Sequence, residues 1–537
     1  AHESGPFEIR PPLMHRRQFL ASATLPLLGC APTQEITGGF TGIAFERGHV
    51  LRETRTWPTP SVTRRTDVLI AGGGVAGLAA ARALRLRGVE DFALLELEDR
   101  AGGNSRGGAV GGIACPLGAH YLPVPSDDAP DVQNLLEELG VRQRVAGRWV
   151  VDERHLCHSP QERLFLNGAW QDGLLPVQGV GAATLAQYQK FAALVAQHRQ
   201  QARWTIPKPN RPLAPIQQAQ AAITFAAYLD QHGLDDPHLR WYLDYCCRDD
   251  YGAGTATVSA WAGIHYFASR HGFHAPGADG GEREGGVLTW PEGNGWLTQR
   301  LAAPLADRLH TGQVVLRIAE TRQGVEVDVF DTATQTVVRW QARRAIIALP
   351  VFVAARVVQN PPDFLRQAAA HTTYAPWLVA NIHIAQPLFD RPGPAPSWDN
   401  VLYNTAGLGY VDAMHQSLRP VPAATVLTYY RALGDVPQGR RLLMEKPWTA
   451  WRDEILAELA TAHPDLAAKA TRIDITRYGH AMAIPTPAVS SQIGLQRLFH
   501  GREQLQKPQR LAYAHSDWAG YSVFEEAFTL GHRAGSS

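Results

Sequence analysis

Residues 67–106 read DVLIAGGGVAGLAAARALRLRGVEDFALLELEDRAGGNSR, and the groups in this stretch that bear chemistry are spaced for a phosphate and a ribose. Gly72, Gly74 and Gly77 make a G-x-G-x-x-G pattern. Gly72 permits a tight turn, Gly74 lets a pyrophosphate approach the backbone where Val75 and Ala76 open a helix, and Gly77 lets that helix pack on a strand. Glu96 follows about 20 residues later, where a carboxylate accepts hydrogen bonds from ribose hydroxyls.

These residues need particular elements to hold them. Thr66 to Ala71 is a short apolar run suited to a buried parallel strand. Val75 to Arg87 has helix composition, and Gly88 ends it. Phe92 to Leu95 forms a second strand leading into Glu96 and Leu97. Glycines, strand, helix and acid in this order make a dinucleotide-binding βαβ start. An ordinary glycine-rich loop is the weaker reading.

The segment after Glu96, ELEDRAGGNSR, resembles the second glycine signature of FAD-dependent amine oxidases and desaturases. The resemblance places Arg100, Gly102, Gly103 and Asn104 along the flavin-side phosphate and ribityl chain. VVLRI and ARRAIIALP resemble the late hairpin and strand of that FAD domain, with Val315 beside the adenine. AHSDWAGYSVFEEAFTLGHRA resembles the closing motif, with Asp517 and Ser522 at the cofactor. A helix N-terminus there stabilises negative charge. The chain therefore resembles the flavin-containing amine oxidase superfamily. RDDYG, SAWAGIHYFASR, GNGWL and GYSVFEEA together look most like twin-arginine-exported, spermidine-dehydrogenase-like bacterial flavoproteins.

The resemblance implies an α/β fold: a discontinuous Rossmann-like FAD-binding domain of glutathione-reductase type plus an α+β substrate domain with a mixed sheet and helices. The FAD domain is placed at 60–125, 285–355 and 508–537. The substrate domain takes 126–284 and 356–507, with residues 31–59 a linker. Residues 179–240 read as helical, interrupted by a surface loop at WTIPKPNRPLAPIQQ.

The resemblance also implies FAD as cofactor and oxidation of an amine, with Tyr521, Trp377 and Trp518 as aromatic residues at the flavin. Each has a bland alternative as a core aromatic. Asp249 and Asp250 are candidates to hold the distant ammonium of a di- or polyamine, against a solvated turn or helix cap. His120 is a candidate to face the flavin ring. Monoamine and polyamine oxidases carry a lysine on the strand matched by Leu378 to Ala385, and Val379 falls at its slot. That departure favours a quinone or cytochrome over oxygen as electron acceptor. The alternatives are a desaturase or isomerase of an apolar substrate, or a non-catalytic flavoprotein electron carrier, because fold alone does not fix function.

Composition bounds the rest. At 537 residues the chain exceeds one core. A net charge of +1 with no long basic run argues against nucleic acid as a partner. No spacing among the five cysteines resembles a zinc site, so no metal is expected, and Cys246 and Cys247 read as packing residues. Met14 starts MHRRQFLASATLPLLGC, in which Arg16-Arg17, a short apolar run and Cys30 resemble a twin-arginine signal ending in a lipobox. The expectation is export to the periplasm, with a possible lipid anchor as the only membrane attachment. Residues 1–30 are excluded from fold reasoning as leader and signal.

Overall fold

The computed structural model describes residues 35–53, 56–157, 161–209, 211–270, 272–277, 286–417, 421, 423–491 and 510–537. The signal motif and Cys30 lie outside the described residues.

Two large sheets organise residues 36–537. The first has seven strands, drawn from residues 62–95, 309–347 and 511–513. Its centre is the strand Val62–Ala71, flanked in parallel by Phe92–Leu95 and Thr336–Ile347. Val68 to Ala71 are buried with no polar alternation, as a strand covered on both faces requires. The strand Thr336–Ile347 changes neighbours along its length. Its first half pairs antiparallel with Val325–Asp331, and its end pairs parallel with Leu511–Tyr513.

The helix Val75–Leu86 lies on this sheet, with Val75 to Leu84 all buried. It is buried nearly all round because the closing helix Phe524–Ser536 covers its outer face, and its buried Arg82 is matched by Glu138 at 2.6 Å. Small residues allow the close approach. A Cβ on Gly531 would stand 2.0 Å from the Ala76 carbonyl oxygen, and one on Gly535 would stand 2.4 Å from that of Ala80.

The second sheet has eight strands. Its central strand, Tyr374–Ile384, is covered on both faces. Trp377 and Val379 face a helical layer, while Leu378, Ala380 and Ile382 pack with Trp451, Ile455 and Leu459 of the helix Trp448–Leu459. The helical layer comprises Ala182–Gln201, Pro215–Ala221, Phe225–Gln231, Pro237–Tyr251 and Ala260–Ala268. Cys246 and Cys247 are buried, unbridged packing residues there.

Two expectations are corrected. Residues 37–53 are structured: Thr37–Thr41 is an edge strand running parallel to Ala470–Ala483, and a helix follows at Phe45–His49. The edge position escapes sequence reading because TGGFT has no apolar alternation and its partner is 435 positions away, at Arg472. The proline-rich segment is only partly a surface loop. Trp204 to Pro207 and Lys208 are buried, because Trp204 stacks on Trp261 and the Lys208 ammonium donates to the Ala519 carbonyl.

Candidate active site

A cavity of about 470 Å³ runs from the glycine turn to the helical layer. At one end Gly72, Gly74, Val75 and Ala76 line it. Gly72 has φ +103, and a Cβ there would stand 2.4 Å from the Ala348 carbonyl oxygen, so only glycine fits without strain. Gly103 has φ +57 and lies against Gly74, 3.1 Å from its Cα to a Cβ built on Gly103. Two facing glycines thus leave bare backbone at the mouth of the helix. Gly77 does not line the cavity. It packs beneath the turn, where a Cβ would meet the Gly72 oxygen at 1.8 Å.

Glu96 reaches the cavity from the end of its strand. Its carboxylate accepts the Gly73 N–H at 2.8 Å and the Glu98 N–H at 2.9 Å. Burial pushes its pKa up against these bonds. Leu97, Gly102, Asn104, Val315, Asp517 and Ser522 also line the wall. Asp517 accepts the Val351 N–H at 3.0 Å and the Tyr374 hydroxyl at 2.5 Å. Burial pushes that carboxyl up, but His515, Tyr374 and the Val351 N–H outweigh it and hold the group below the usual carboxylate range.

Arg100 is exposed and does not line the cavity. The chain bends sharply at Gly102, φ +131, and the inward arginine of this stretch is Arg106, which donates to the Gly42 carbonyl at 2.7 Å.

The other end is aromatic and ionisable. Trp377, Val379, His120, Tyr121 and Tyr430 line it, together with Asp249, Asp250, Arg270 and Glu525. His120 stacks on Tyr430 at 4.3 Å between ring centroids. Burial lowers the His120 pKa to about 3, so the ring is neutral and serves as an aromatic face. The Trp377 indole N–H is buried and has no hydrogen-bond partner. Asp249 and Asp250 sit on the last turn of the helix Pro237–Tyr251, not on a solvated turn. Arg270 donates to both Asp250 oxygens, at 2.9 and 3.0 Å. Asp249 is half-buried and lines the cavity, with the Tyr121 hydroxyl 3.4 Å away. Burial, then the Asp250 charge, raises its pKa to about 7. Burial likewise raises Glu525 to about 7.

Tyr521 and Trp518 do not line the cavity. Gly520, φ +84, ends the turn Ser516–Ala519 and rotates the following residue into the core. Tyr521 is fully buried, donates to Glu526 at 2.8 Å and packs edge-on to His265. Trp518 packs on Phe364 and Tyr513. Val523 and Phe524 take the cavity positions instead. Arg270, Glu525 and Tyr430 were not identified in the sequence. Arg270 carried one usable signal, as a lone charge directly after the apolar helix Ala260–Ala268.

A Rossmann-type sheet with a glycine turn and a carboxylate at the end of the next strand, beside a mixed sheet with an aromatic and acidic pocket, has the build of a dinucleotide-dependent oxidoreductase. The flavin containing amine oxidoreductase family model matches residues 75–535, and the chain belongs to that family. Its cofactor is FAD, which fits the bare glycine cradle, the Glu96 carboxylate and the cavity running between the two sheets.

The fold matches putrescine oxidase bound to putrescine, with a TM-score of 0.64 and 18% identity over 88% of this chain and 99% of that one. It also matches cyclohexylamine oxidase from Brevibacterium oxydans, with a TM-score of 0.60 and 19% identity over 88% and 98%. An L-amino acid dehydrogenase of Synechocystis sp. is 31% identical over 122 residues. That alignment spans only 23% of either protein, so the chain covers under a quarter of this curated relative.

Proposed function

We propose that the chain oxidises a C–N bond of a di- or polyamine. The observation that carries this reading is the acid end of the cavity: Asp249 and Glu525 line it in addition to the Asp250–Arg270 pair. Three carboxyls against one guanidinium leave room for cationic charge on the ligand. Among the described residues the one lining guanidinium is committed to Asp250, which speaks against an amino-acid carboxylate. The buried carboxyls also speak against an apolar desaturase or isomerase substrate, and an enclosed ligand-sized pocket against a mere electron carrier.

FAD, held by the Gly72, Gly74 and Gly103 backbone and the Glu96 carboxylate, would supply the two-electron acceptor for oxidation of the amine C–N bond. The chain's residues bind, orient and exclude water. Asp249 takes the distant ammonium once it is ionised. Trp377, Tyr430 and neutral His120 give the reacting end an aromatic surface that limits water. Val379 presents an apolar side chain to the cavity at the strand position where oxidases of the family carry lysine, which favours an acceptor other than oxygen.

Anaerobic mixing with putrescine, spermidine and a short monoamine, followed by flavin bleaching, tests the reading. The diamine and polyamine should bleach at lower concentration than the monoamine; no bleaching by any amine would overturn it. We also propose export through the twin-arginine route with lipid on Cys30. Lysine at positions 16 and 17 should then hold the protein in the cytoplasm, and continued export would refute the signal.

A further inference from the structure

Beside the cofactor cavity lies a wider, open recess of about 1190 Å³. The two share Gly103, Asn104, Pro350, Tyr374, Tyr478 and His480. The recess is cationic. Arg52 reaches it from the segment after the edge strand, Arg356 from the helix Val351–Val357, Arg440 from the helix Gly439–Glu445 and Arg477 from the strand Ala470–Ala483. Arg52, Arg356 and Arg440 are exposed.

Its acids are already matched. Glu98 lies 3.6 Å from Arg106, and Glu445 lies 2.9 Å from Arg441. Among the described residues no acid stands within ion-pair distance of Arg52, Arg356, Arg440 or Arg477. Arg477 feels Glu46 at longer range and is braced by the Phe40 ring at 3.7 Å, while Arg440 donates to the Gly479 carbonyl at 2.7 Å. Burial, then Arg52, lowers the Arg440 pKa, and burial followed by Arg440 and Arg52 lowers His480 to about 4.

Guanidiniums gathered from four elements repel one another, and a concave wall focuses their field. The complementary ligand carries carboxylate, phosphate or sulfonate groups that accept paired N–H bonds. An ammonium is repelled here, while the carboxyls that would attract it line the other cavity. We propose that this recess seats a small polyanionic electron acceptor, reaching the cofactor by a route separate from that of the amine. The acceptor role rests on the oxidoreductase reading above; the anion site itself does not.

The test uses the full chain loaded with flavin, in wild type, Arg52→Ser/Arg440→Ser and Arg52→Lys/Arg440→Lys. Both positions are exposed, so the fold should survive. Ferrocyanide, a redox-inert polyanion here, is titrated calorimetrically. Dithionite-reduced protein is then reoxidised without air by ferricyanide or by neutral benzoquinone. Ferricyanide accepts one electron per ion, and the protons pass to water. The serine variant should bind ferrocyanide about tenfold more weakly and be reoxidised by ferricyanide about tenfold more slowly, with the lysine variant near wild type and benzoquinone unaffected. Equal ferrocyanide binding in wild type and serine variant would overturn the site. Parallel slowing with benzoquinone would overturn the acceptor role. Dithionite needs no amine, so these results stand apart from the substrate reading.

Discussion

The two ends of the cavity are built by different means. The cofactor end is mostly backbone: facing glycines and a helix start within residues 72–104, with the Glu96 and Asp517 carboxylates beside them. The substrate end is mostly side chain: His120, Asp249, Arg270, Trp377, Tyr430 and Glu525 come from separated parts of the chain. A ligand common to many proteins is held by geometry that tolerates little change, whereas a particular substrate is met by charges and rings that can be exchanged singly.

The sharpest break of that contrast is a methyl group at the backbone end. Gly77→Ala puts a Cβ 1.8 Å from the Gly72 oxygen. The expected cost is about 3 kcal/mol or more, with loss of yellow cofactor, read from denaturant unfolding and the visible spectrum. A holoprotein of wild-type stability would show that the turn yields more than its packing implies.

Glu96→Ala comes next. A charge-assisted bond contributes about 1.5–3 kcal/mol, so FAD should dissociate on dilution at roughly tenfold higher concentration or more. Unchanged retention would remove Glu96 from the ribose.

At the other end, Asp249→Asn should raise KM for spermidine about tenfold while leaving a short monoamine and kcat near wild type, the pattern of lost remote binding. The carboxyl titrates at about 7. It is protonated below that pH and ionised above it, so wild-type KM for spermidine should climb as pH falls through 7. In the Asn variant that limb should vanish; a limb that persists would assign the titration to another group such as Glu525.

The smallest effect on turnover is expected from Tyr521→Phe. It removes the 2.8 Å bond to Glu526 inside the core, a cost of about 1 kcal/mol in stability. Turnover should stay close to wild type, whereas a large loss would restore Tyr521 to the flavin.

Legibility followed the same division. The glycine turn and Glu96 could be read because most of their constraints fall within 25 residues of chain and act on backbone, although Gly72 is also fixed by the distant Ala348 carbonyl. The α/β class followed from that unit and from the late hairpin. Tyr521 was misplaced because one left-handed glycine, Gly520, decides which way the next side chain turns. Arg100 was misplaced for a related reason, the bend at Gly102. Arg270 could not be paired with Asp250 in advance, since two helices and a loop must pack before the two meet. The edge strand Thr37–Thr41 has no intrinsic signal, because its only reason to be a strand is the neighbour at Arg472 to Thr476.

That edge strand bears on how the protein matures. Strand Thr37–Thr41 leaves the ribosome long before Ala470–Ala483, the only strand with which it pairs among the described residues. Leu51 lines the same cavity as Asp517 and the residues Ser522 to Glu525 from the far end of the described chain. The cofactor chamber thus has walls from the earliest and latest described parts of the polypeptide, and it cannot close until both have been made and brought together. Damage to either segment therefore opens the same chamber.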